Sequence, residues 1–338
     1  MKRNKYLAVL FFLAIICTNA FAQNEVFVPG AGGETVFSFH ANTYDPDIRQ
    51  IPSAITSLRQ RNTIEFIRLL AEYINEKSGG DFDRVKKAHD WVALNIRYDT
   101  QSYFSGRYSS QAFDDVIRRG SAVCAGYSDV FKHICDALEI ECITVNGYAR
   151  GASSSLFRFV DVTNSNHAWN IVTINGKKYL VDTTWDSGYL SGRNFQARYQ
   201  TNYLFTDPAV FIYEHFPGSS DNQLLEQPLS AEEFDNLPFL ESKFFIAFET
   251  WPQMARITEI SAGEELQFEF SLKSGYELAY HWYRQSGAEI SRTFPPRRDS
   301  YRINIPKLNP GRYFLRLYVK GPGDRRYWSC AEYGFVIN

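Results

Sequence analysis

Apolar side chains between positions 62 and 138 recur every three or four residues, which is the spacing of helices buried on one face. The first predicted helix runs from Thr63 to about Lys77 after an Asn62 N-cap, and the second begins at Asp81. The third begins near Cys124, and its apolar face is formed by Tyr127, Val130, Phe131, Ile134 and Leu138. We expect the polar run at 100–112 to be a mobile loop between the last two helices.

The pattern then changes to alternation, which predicts strands. Ile143–Tyr148 alternates, and two β-prone runs within residues 167–185 flank Asn175-Gly176. This dipeptide favours a two-residue type I′ turn, so Ile174 pairs with Lys177. A strand, a long loop and a hairpin predict an antiparallel sheet packed against the third helix, which is an α+β fold.

The hairpin register places His167 and Asp182 on one face of the sheet as diagonal neighbours. Their Cβ atoms are then about 7 Å apart or less, which lets the carboxylate accept a hydrogen bond from the imidazole. Asp186 has the same parity and is the other diagonal neighbour of His167. We favour Asp182 because it lies inside the strand, whereas Asp186 lies near the strand's end, before Ser187-Gly188.

From about residue 240, short β-prone runs appear at regular spacing, with turn signals between them. They are Phe244–Phe248, Leu266–Leu272, Tyr276–Arg284, Ser300–Ile305, Tyr313–Val319 and Tyr327–Ile337. This pattern predicts an all-β sandwich similar to an immunoglobulin domain. Trp282 and Cys330 do not complete the Cys–Trp–Cys set of that fold, because no earlier partner cysteine exists.

The start of the chain has the pattern of a signal peptide. Lys2, Arg3 and Lys5 precede an apolar run, Leu7–Cys17, and Ala20-Phe21-Ala22 forms a cleavage site. The run is too short to span a bilayer comfortably, and no later stretch is apolar enough to do so. We therefore predict an exported protein that is periplasmic, at the cell surface or secreted, and we do not expect a lipid anchor on Cys17, since the residue before it is not small.

The predicted organisation has four parts. They are the signal peptide at 1–22, an extended N-terminal segment at 23–60, a catalytic domain at 61–235 and the β-sandwich at 240–338. The formal charge of the whole chain is −2, and the leader contributes only positive charge, so the mature chain is acidic. An acidic chain argues against nucleic acid as a partner.

The cysteines suggest thiol chemistry at one position. Cys124 would lie in the first turn of a helix, where free N–H groups and the positive end of the dipole favour the thiolate. Cys135 and Cys142 are predicted to be small buried residues without a disulfide. Neither Cys-x-x-Cys nor His-Glu-x-x-His spacing occurs, so we expect no metal site and no cofactor.

Together, Cys124, His167 and Asp182 have the residue types of a nucleophile, a base and an orienting group. His133 lies two and a half turns beyond Cys124 and cannot be the base. His215, among aromatic residues, is predicted to be packed, and His89, off the apolar stripe of its helix, is predicted to be solvated.

Five motifs in order make residues 82–185 resemble the transglutaminase-like superfamily, and in particular its kyphoscoliosis-peptidase-like branch. They are Asp90-Trp91-Val92 to Tyr98-Asp99, Gly120 to Tyr127, Val145 to Ala149, Asn166 to Asn170, and Val181 to Trp185. The resemblance implies that Cys124 is the nucleophile, His167 the base and Asp182 the orienting residue. It also makes Tyr98, Trp169 and Trp185 candidates for lining a cleft.

The expected function is that of an exported, thiol-dependent acyl-transfer enzyme, a peptidase or amidase that acts on peptide or protein amides. Hydrolysis is favoured over cross-linking because the loops contain no recognisable calcium site and the resemblance is to a peptidase branch. The alternative is an inactive transglutaminase-like scaffold that binds protein or glycan through its β-sandwich.

Overall fold

The computed structural model describes residues 25–151, 154–158, 161–264 and 267–338. The predicted signal peptide lies outside the described residues. Within these ranges, no helix combines the length and the apolarity needed to cross a bilayer.

Eleven α-helices occur in the described residues. They are α1 (Pro46–Arg49), α2 (Ser53–Thr56), α3 (Thr63–Glu76), α4 (Asp81–Asn95), α5 (Thr100–Ser105), α6 (Phe113–Arg119), α7 (Cys124–Ala137), α8 (Thr183–Ser187), α9 (Pro208–Phe211), α10 (Ala231–Asn236) and α11 (Ser242–Ala247). Two 3₁₀ turns are added at Ser57–Gln60 and Ser220–Gln223.

The strands of the first half are β1 (Glu25–Pro29), β2 (Thr35–His40), β3 (Arg97–Tyr98), β4 (Ser121–Ala122), β5 (Glu141–Ala149), β6 (His167–Ile174), β7 (Lys177–Val181), β8 (Gly188–Ser191), β9 (Asn194–Ala197), β10 (Leu204–Thr206) and β11 (His215–Pro217). Those of the C-terminal region are β12 (Phe239–Leu240), β13 (Phe248–Thr250), β14 (Ile257–Ile260), β15 (Gln267–Leu272), β16 (Glu277–Arg284), β17 (Glu289–Thr293), β18 (Ser300–Asn304), β19 (Gly311–Lys320) and β20 (Trp328–Ile337).

The three long helices are confirmed close to their predicted bounds. The side chain of Asn62 accepts the Glu65 N–H at 3.1 Å and caps α3, while α4 begins at Asp81 and α7 at Cys124. The predicted loop at 100–112 is only partly right, because the Asp99 side chain caps the short helix α5. Side-chain caps therefore fix the starts of α3 and α5, whereas α4 and α7 begin without a side-chain cap.

The central sheet has the strand order β10-β7-β6-β5-β11, and every neighbouring pair is antiparallel. The hairpin register is confirmed, since Ile174 pairs with Lys177 and the turn residues Asn175 and Gly176 both have positive φ. The strand nevertheless ends at Val181, so Asp182 lies just beyond it and not inside it as predicted. Asp182 accepts N–H bonds from the next turn, so its capping role starts α8 and ends β7.

The two faces of this sheet have different coverings. Helices α3, α4 and α7 pack on one face, and Val172 and Ile174 contribute to the shared core. On the other face, Trp169 and Ile171 pack with Tyr203 and Phe211. Because side chains alternate along β6, Trp169 and Ile171 face away from α7, while His167, the first residue of the strand, lies beside the start of α7.

The N-terminal segment is not wholly extended as predicted. Strands β1 and β2 form a hairpin, but Pro46–Gln60 contains two short helices and a 3₁₀ turn. The segment does lie against the domain: Lys86 Nζ donates to the Thr43 carbonyl at 2.9 Å, and Asn42 and Thr201 exchange two hydrogen bonds.

The C-terminal region contains two sheets that share one core. One sheet has the order β12-β20-β19-β16-β17, with β14 parallel to β20, and the other has the order β13-β15-β18. The predicted strand at Phe244–Phe248 is wrong. Residues Ser242–Ala247 form the helix α11 instead. The rings of Phe244 and Phe248, which are one helical turn apart, stack with their centroids 4.2 Å apart. Strands β12, β14 and β17 were missed, as was β13 beyond Phe248, and the immunoglobulin-like topology stays a prediction.

Arg150 links the first domain to the segment that leads into these sheets. Its guanidinium donates to the carbonyl oxygens of Leu237 and Pro238 at 3.0 and 3.2 Å and stacks over the ring of Phe234 at 4.2 Å. Because these carbonyl groups directly follow α10, the guanidinium lies where a positive charge stabilises the C-terminal end of a helix.

Glu214 lies buried at the same junction, and its ionisation should limit stability at high pH. Burial and the charge of Glu241 raise the pKa of Glu214 to about 8, while Tyr203 Oη and Ser242 N–H donate to Oε2 at 2.8 and 3.0 Å. Between pH about 4.3 and 8, the native carboxyl holds a proton that the unfolded chain releases, so stability falls as pH rises.

We therefore expect Glu214→Gln, which keeps an acceptor but cannot ionise, to be more heat-stable than the natural protein at pH 9. The gain should be at least about 1 kcal/mol, or roughly 2–4 °C in Tm, and should vanish near pH 4. Calorimetry at both pH values measures it, with the exposed Glu226→Gln as control. Equal gains in stability at both pH values would contradict ionisation of Glu214 as their cause.

Candidate active site

Cys124 is the first residue of α7, and its side chain is only partly buried. The preceding residue is held in place, because the Val123 N–H donates to Gln111 Oε1 at 3.0 Å. The first N–H groups of a helix have no acceptor within the helix, so the Cys124 N–H points out of its open end. The thiol therefore lies beside a polarised donor at a position that a ligand can reach.

His167 and Asp182 lie together as the hairpin predicted. His167 Nε2 donates to Asp182 Oδ2 at 2.7 Å, and both side chains are nearly inaccessible to solvent. The other oxygen, Asp182 Oδ1, accepts the N–H groups of Thr184 and Trp185 at 2.9 and 3.1 Å. The carboxylate is thus anchored by backbone donors on one side while it orients the imidazole on the other.

Cys124 and His167 influence each other's ionisation. Burial opposes ionisation of the thiol, but the charge and hydrogen bond of His167 and the N–H of Ala168 outweigh it and lower the pKa of Cys124. Burial also opposes the imidazolium, but the charges of Asp182 and Cys124 raise the pKa of His167 to about 10. This arrangement favours a thiolate–imidazolium pair near neutral pH.

The carboxylate of Asp182 stays ionised despite its burial. Burial alone would raise the pKa of Asp182, but the charge and hydrogen bond of His167 and the hydrogen bond of His215 hold it well below its usual range. Asp186, the other candidate, does not contact His167: its carboxylate binds the backbone N–H groups of Asn202 and Tyr203. Of the two diagonal neighbours, the structure therefore brings Asp182 to the imidazole.

His215 is a neighbour of this site that the sequence did not reveal. Its prediction as a packed residue is correct, but its Nε2 also lies 3.1 Å from Asp182 Oδ2. His167, Asp182 and His215 form the one group within the described ranges whose donor atoms could hold a metal ion. Both imidazoles already donate a proton to the carboxylate, so hydrogen bonds satisfy these atoms without an ion.

The predicted cleft residues occupy different places. Tyr98 is half-buried beside the thiol. Burial is the main cause that raises the pKa of Tyr98, and the charge of Cys124 is the next. Trp185 is half-buried, with its ring 5.3 Å from that of His167. Trp169 is 1% exposed and packs edge-on against His215 at 5.1 Å, so it lies beneath the imidazoles and does not line an open surface.

The prediction of a solvated His89 is wrong. Helix α4 is covered on most of its faces, and His89 Nδ1 and Nε2 face Asp90 Oδ1 and Asp186 Oδ2 at 3.2 and 3.0 Å. Burial opposes the charge, but the two carboxylates raise the pKa of His89. Because Asp186 is on α8, this pair connects α4 to the helix that Asp182 caps.

Replacement of His89 by leucine is expected to destabilise the protein by about 3–5 kcal/mol, because it leaves buried carboxylates without their partner. Thermal unfolding measures the effect. The matched control is His133→Leu on α7, where the ring stacks on Phe113 at 3.9 Å and the side chain is partly exposed. A loss no larger than that of the control would show that the buried pair contributes little.

Residues 68–183 match the family model described as the transglutaminase-like superfamily. The kyphoscoliosis peptidase of Mus musculus is 26% identical over 298 residues, which cover 86% of this chain and 44% of that protein. Hillarin of Drosophila melanogaster is 24% identical, over 62% of this chain and 27% of that protein. The chain thus spans less than half the length of these relatives.

Two solved structures give weaker similarities. A structure described as a TGase is 21% identical and covers 42% of this chain and 34% of its own, with a TM-score of 0.29. Red sea bream transglutaminase is 9% identical and covers 92% of this chain and 68% of its own, also with a TM-score of 0.29. The assignment rests on the family match and the relatives by sequence: this chain carries a domain of the transglutaminase-like superfamily, and its homologues include kyphoscoliosis peptidases.

Proposed function

We propose that this protein is a thiol-dependent acyl-transfer enzyme that hydrolyses amide bonds of peptides or proteins. The observation that carries the proposal is the row of three side chains, with Cys124 at an open helix end, His167 close enough to lower the pKa of its thiol, and Asp182 2.7 Å from the imidazole. This order of nucleophile, base and orienting group is the arrangement that activates a thiol.

The first half of the reaction follows from the positions of the protons. Because His167 Nε2 donates to Asp182, its Nδ1 is the nitrogen that remains for Cys124. The thiolate attacks the substrate carbonyl carbon, and the Cys124 N–H faces the oxyanion that forms. Such a donor contributes roughly 10²- to 10³-fold in rate. As the C–N bond breaks, His167 Nδ1 gives its proton to the leaving amine and a thioester remains.

The second half regenerates the enzyme. Water attacks the thioester carbonyl while neutral His167 takes one of its protons, and the C–S bond breaks to release the carboxylic acid and the thiolate. A primary amine in place of water would give a cross-linked or modified amide. We favour water because the resemblance is to a peptidase branch and the loops contain no recognisable calcium site.

A product assay tests the proposal. The purified protein is incubated with a proteome-derived peptide library, with and without methylamine, and products are identified by mass spectrometry. New amino termini or deamidated glutamines without methylamine incorporation are expected, and protein pretreated with iodoacetamide should form neither. Methylamine incorporation as the main product would assign cross-linking. No product with an unreactive Cys124 would leave the scaffold that binds protein or glycan.

We also propose that the protein is exported and acts on a substrate outside the cytoplasm. The leader pattern of residues 1–22 supports this proposal. Expression of the full chain in a bacterial host tests it. The expected product is periplasmic and begins at Gln23, as read by mass spectrometry of the intact protein. A cytoplasmic product that keeps the leader would contradict it.

A further inference from the structure

Asp182 has two imidazole partners, and only one of them was foreseen. Its Oδ1 is fixed by two backbone N–H groups of α8, whereas its Oδ2 is approached by His167 Nε2 at 2.7 Å and by His215 Nε2 at 3.1 Å. A carboxylate oxygen has two lone pairs, so both N–H groups can be accepted at once. The direction of Oδ2 is therefore set by two donors.

His215 reaches the carboxylate from the far edge of the sheet. It lies on β11, which pairs with β5, and Gly147 of β5 lies opposite both His167 and Pro217. A Cβ at Gly147 would be 2.6 Å from the Trp169 ring and would collide with the Phe216 carbonyl oxygen. Because glycine has no side chain, β11 and the Trp169 indole can both lie close to β5 at this position.

The ring of His215 is more deeply buried than that of His167. It is 0% exposed, stacks on Phe211 at 3.9 Å and lies 4.4 Å from the Trp185 ring. This burial among aromatic rings lowers the pKa of His215 to about 4. The ring therefore stays neutral near pH 7, with its one proton on Nε2, where the carboxylate accepts it.

We propose that His215 is a positioning residue that fixes Oδ2 of Asp182 in line with His167 Nε2. The fixed imidazole acts as a second anchor for the carboxylate, and the imidazole of His167 remains the one that transfers protons. This inference rests on the proposed function, since it assigns a role within the same site.

A purely electrostatic role for His215 would have the opposite sign. A donor on Asp182 withdraws charge from the carboxylate, so its loss would strengthen the attraction to the imidazolium and favour the Cys124 thiolate. Under the positioning role, loss of His215 lets Oδ2 turn away from His167, and the thiolate becomes less favoured. The pH dependence of Cys124 alkylation separates the two roles.

The experiment compares His215→Leu, His215→Gln and Phe211→Leu with the natural protein, using iodoacetamide and mass spectrometry to follow Cys124. Glutamine keeps an N–H donor at the reach of Nε2, and Phe211→Leu loosens the packing while keeping the donor. His215→Leu should slow alkylation about tenfold below pH 8 and move its midpoint towards that of a free thiol. The Gln and Phe211 variants should stay close to the natural profile.

An unchanged profile for His215→Leu, or one displaced to lower pH, overturns the inference, as does failure of glutamine to restore the profile. If the natural protein itself shows no His167-dependent lowering of the Cys124 midpoint, the proposed function fails and the inference fails with it.

Should His215→Leu not fold, nitrogen-15 imidazole spectra of the natural protein decide the matter. The His215 ring is expected to be the neutral Nε2–H tautomer from pH 5 to 9. A charged ring or an Nδ1–H tautomer contradicts the inference.

Discussion

Replacement of Cys124 by alanine is expected to lower the rate of peptide hydrolysis by about 10⁴-fold or more, because the thioester forms on the sulfur that the substitution removes. The fold should be retained, since the thiol is only partly buried and alanine is a good helix former. Single-turnover rates on the best peptide from the library measure the effect.

The matched control is Cys330→Ala, which removes a buried thiol from the C-terminal sheets and leaves the proposed site intact. It should hydrolyse peptides at the natural rate. Retention of more than about a hundredth of the activity by a folded Cys124→Ala protein would show that the reaction does not use this thiol.

Asp182→Asn is expected to lower the same rate by about 10³- to 10⁴-fold while leaving the fold intact. The amide oxygen can accept the Thr184 and Trp185 N–H groups, and asparagine caps a helix about as well as aspartate. The amide nitrogen then faces His167 as a donor. The imidazole must accept on Nε2 and carry its proton on Nδ1, so it cannot take the proton of the thiol.

The control for this substitution is Asp207→Asn, because Asp207 caps α9 in the same way, with its side chain accepting the Ala209 N–H at 2.8 Å, but binds no histidine. It should leave the rate unchanged. A rate for Asp182→Asn within about tenfold of the natural one would mean that the tautomer of His167 is not set by this carboxylate.

The part of the site that could be predicted from sequence was the part governed by local rules. Asn175-Gly176 fixed a type I′ turn, and the resulting register placed His167 diagonally from Asp182. The spacing of apolar residues placed Cys124 at the start of a helix. Each inference depended on residues less than about twenty positions apart, within one helix or one hairpin.

The remainder depended on packing between distant segments. His215 comes to Asp182 from an edge strand three strands away from β7, and no spacing in the sequence indicates that approach. His89 was misjudged because α4 is buried on most faces, so an off-stripe position did not mean a solvated one. The change from β7 to α8 was missed because Thr183 and Thr184 favour strands, and the cap formed by Asp182 outweighed that preference.

The C-terminal region was predicted best where strands alternate cleanly, as in β15 and β19, whose inward residues are buried. The helix α11 was mistaken for a strand because four of its six residues, together with Phe248, form a short apolar run. Short apolar runs do not distinguish a buried strand from a helical turn by periodicity alone.

The central claim is the thiolate–imidazolium pair, and pH-dependent alkylation of the native protein by dilute iodoacetamide tests it most directly. Mass spectrometry reads the reaction at each of the four cysteines of the described chain. We expect Cys124 to react first, with a midpoint well below the pH of about 8.5 at which a free thiol titrates, and His167→Ala to remove that shift. An inert Cys124, or one that titrates as an ordinary thiol with or without His167, would contradict the claim.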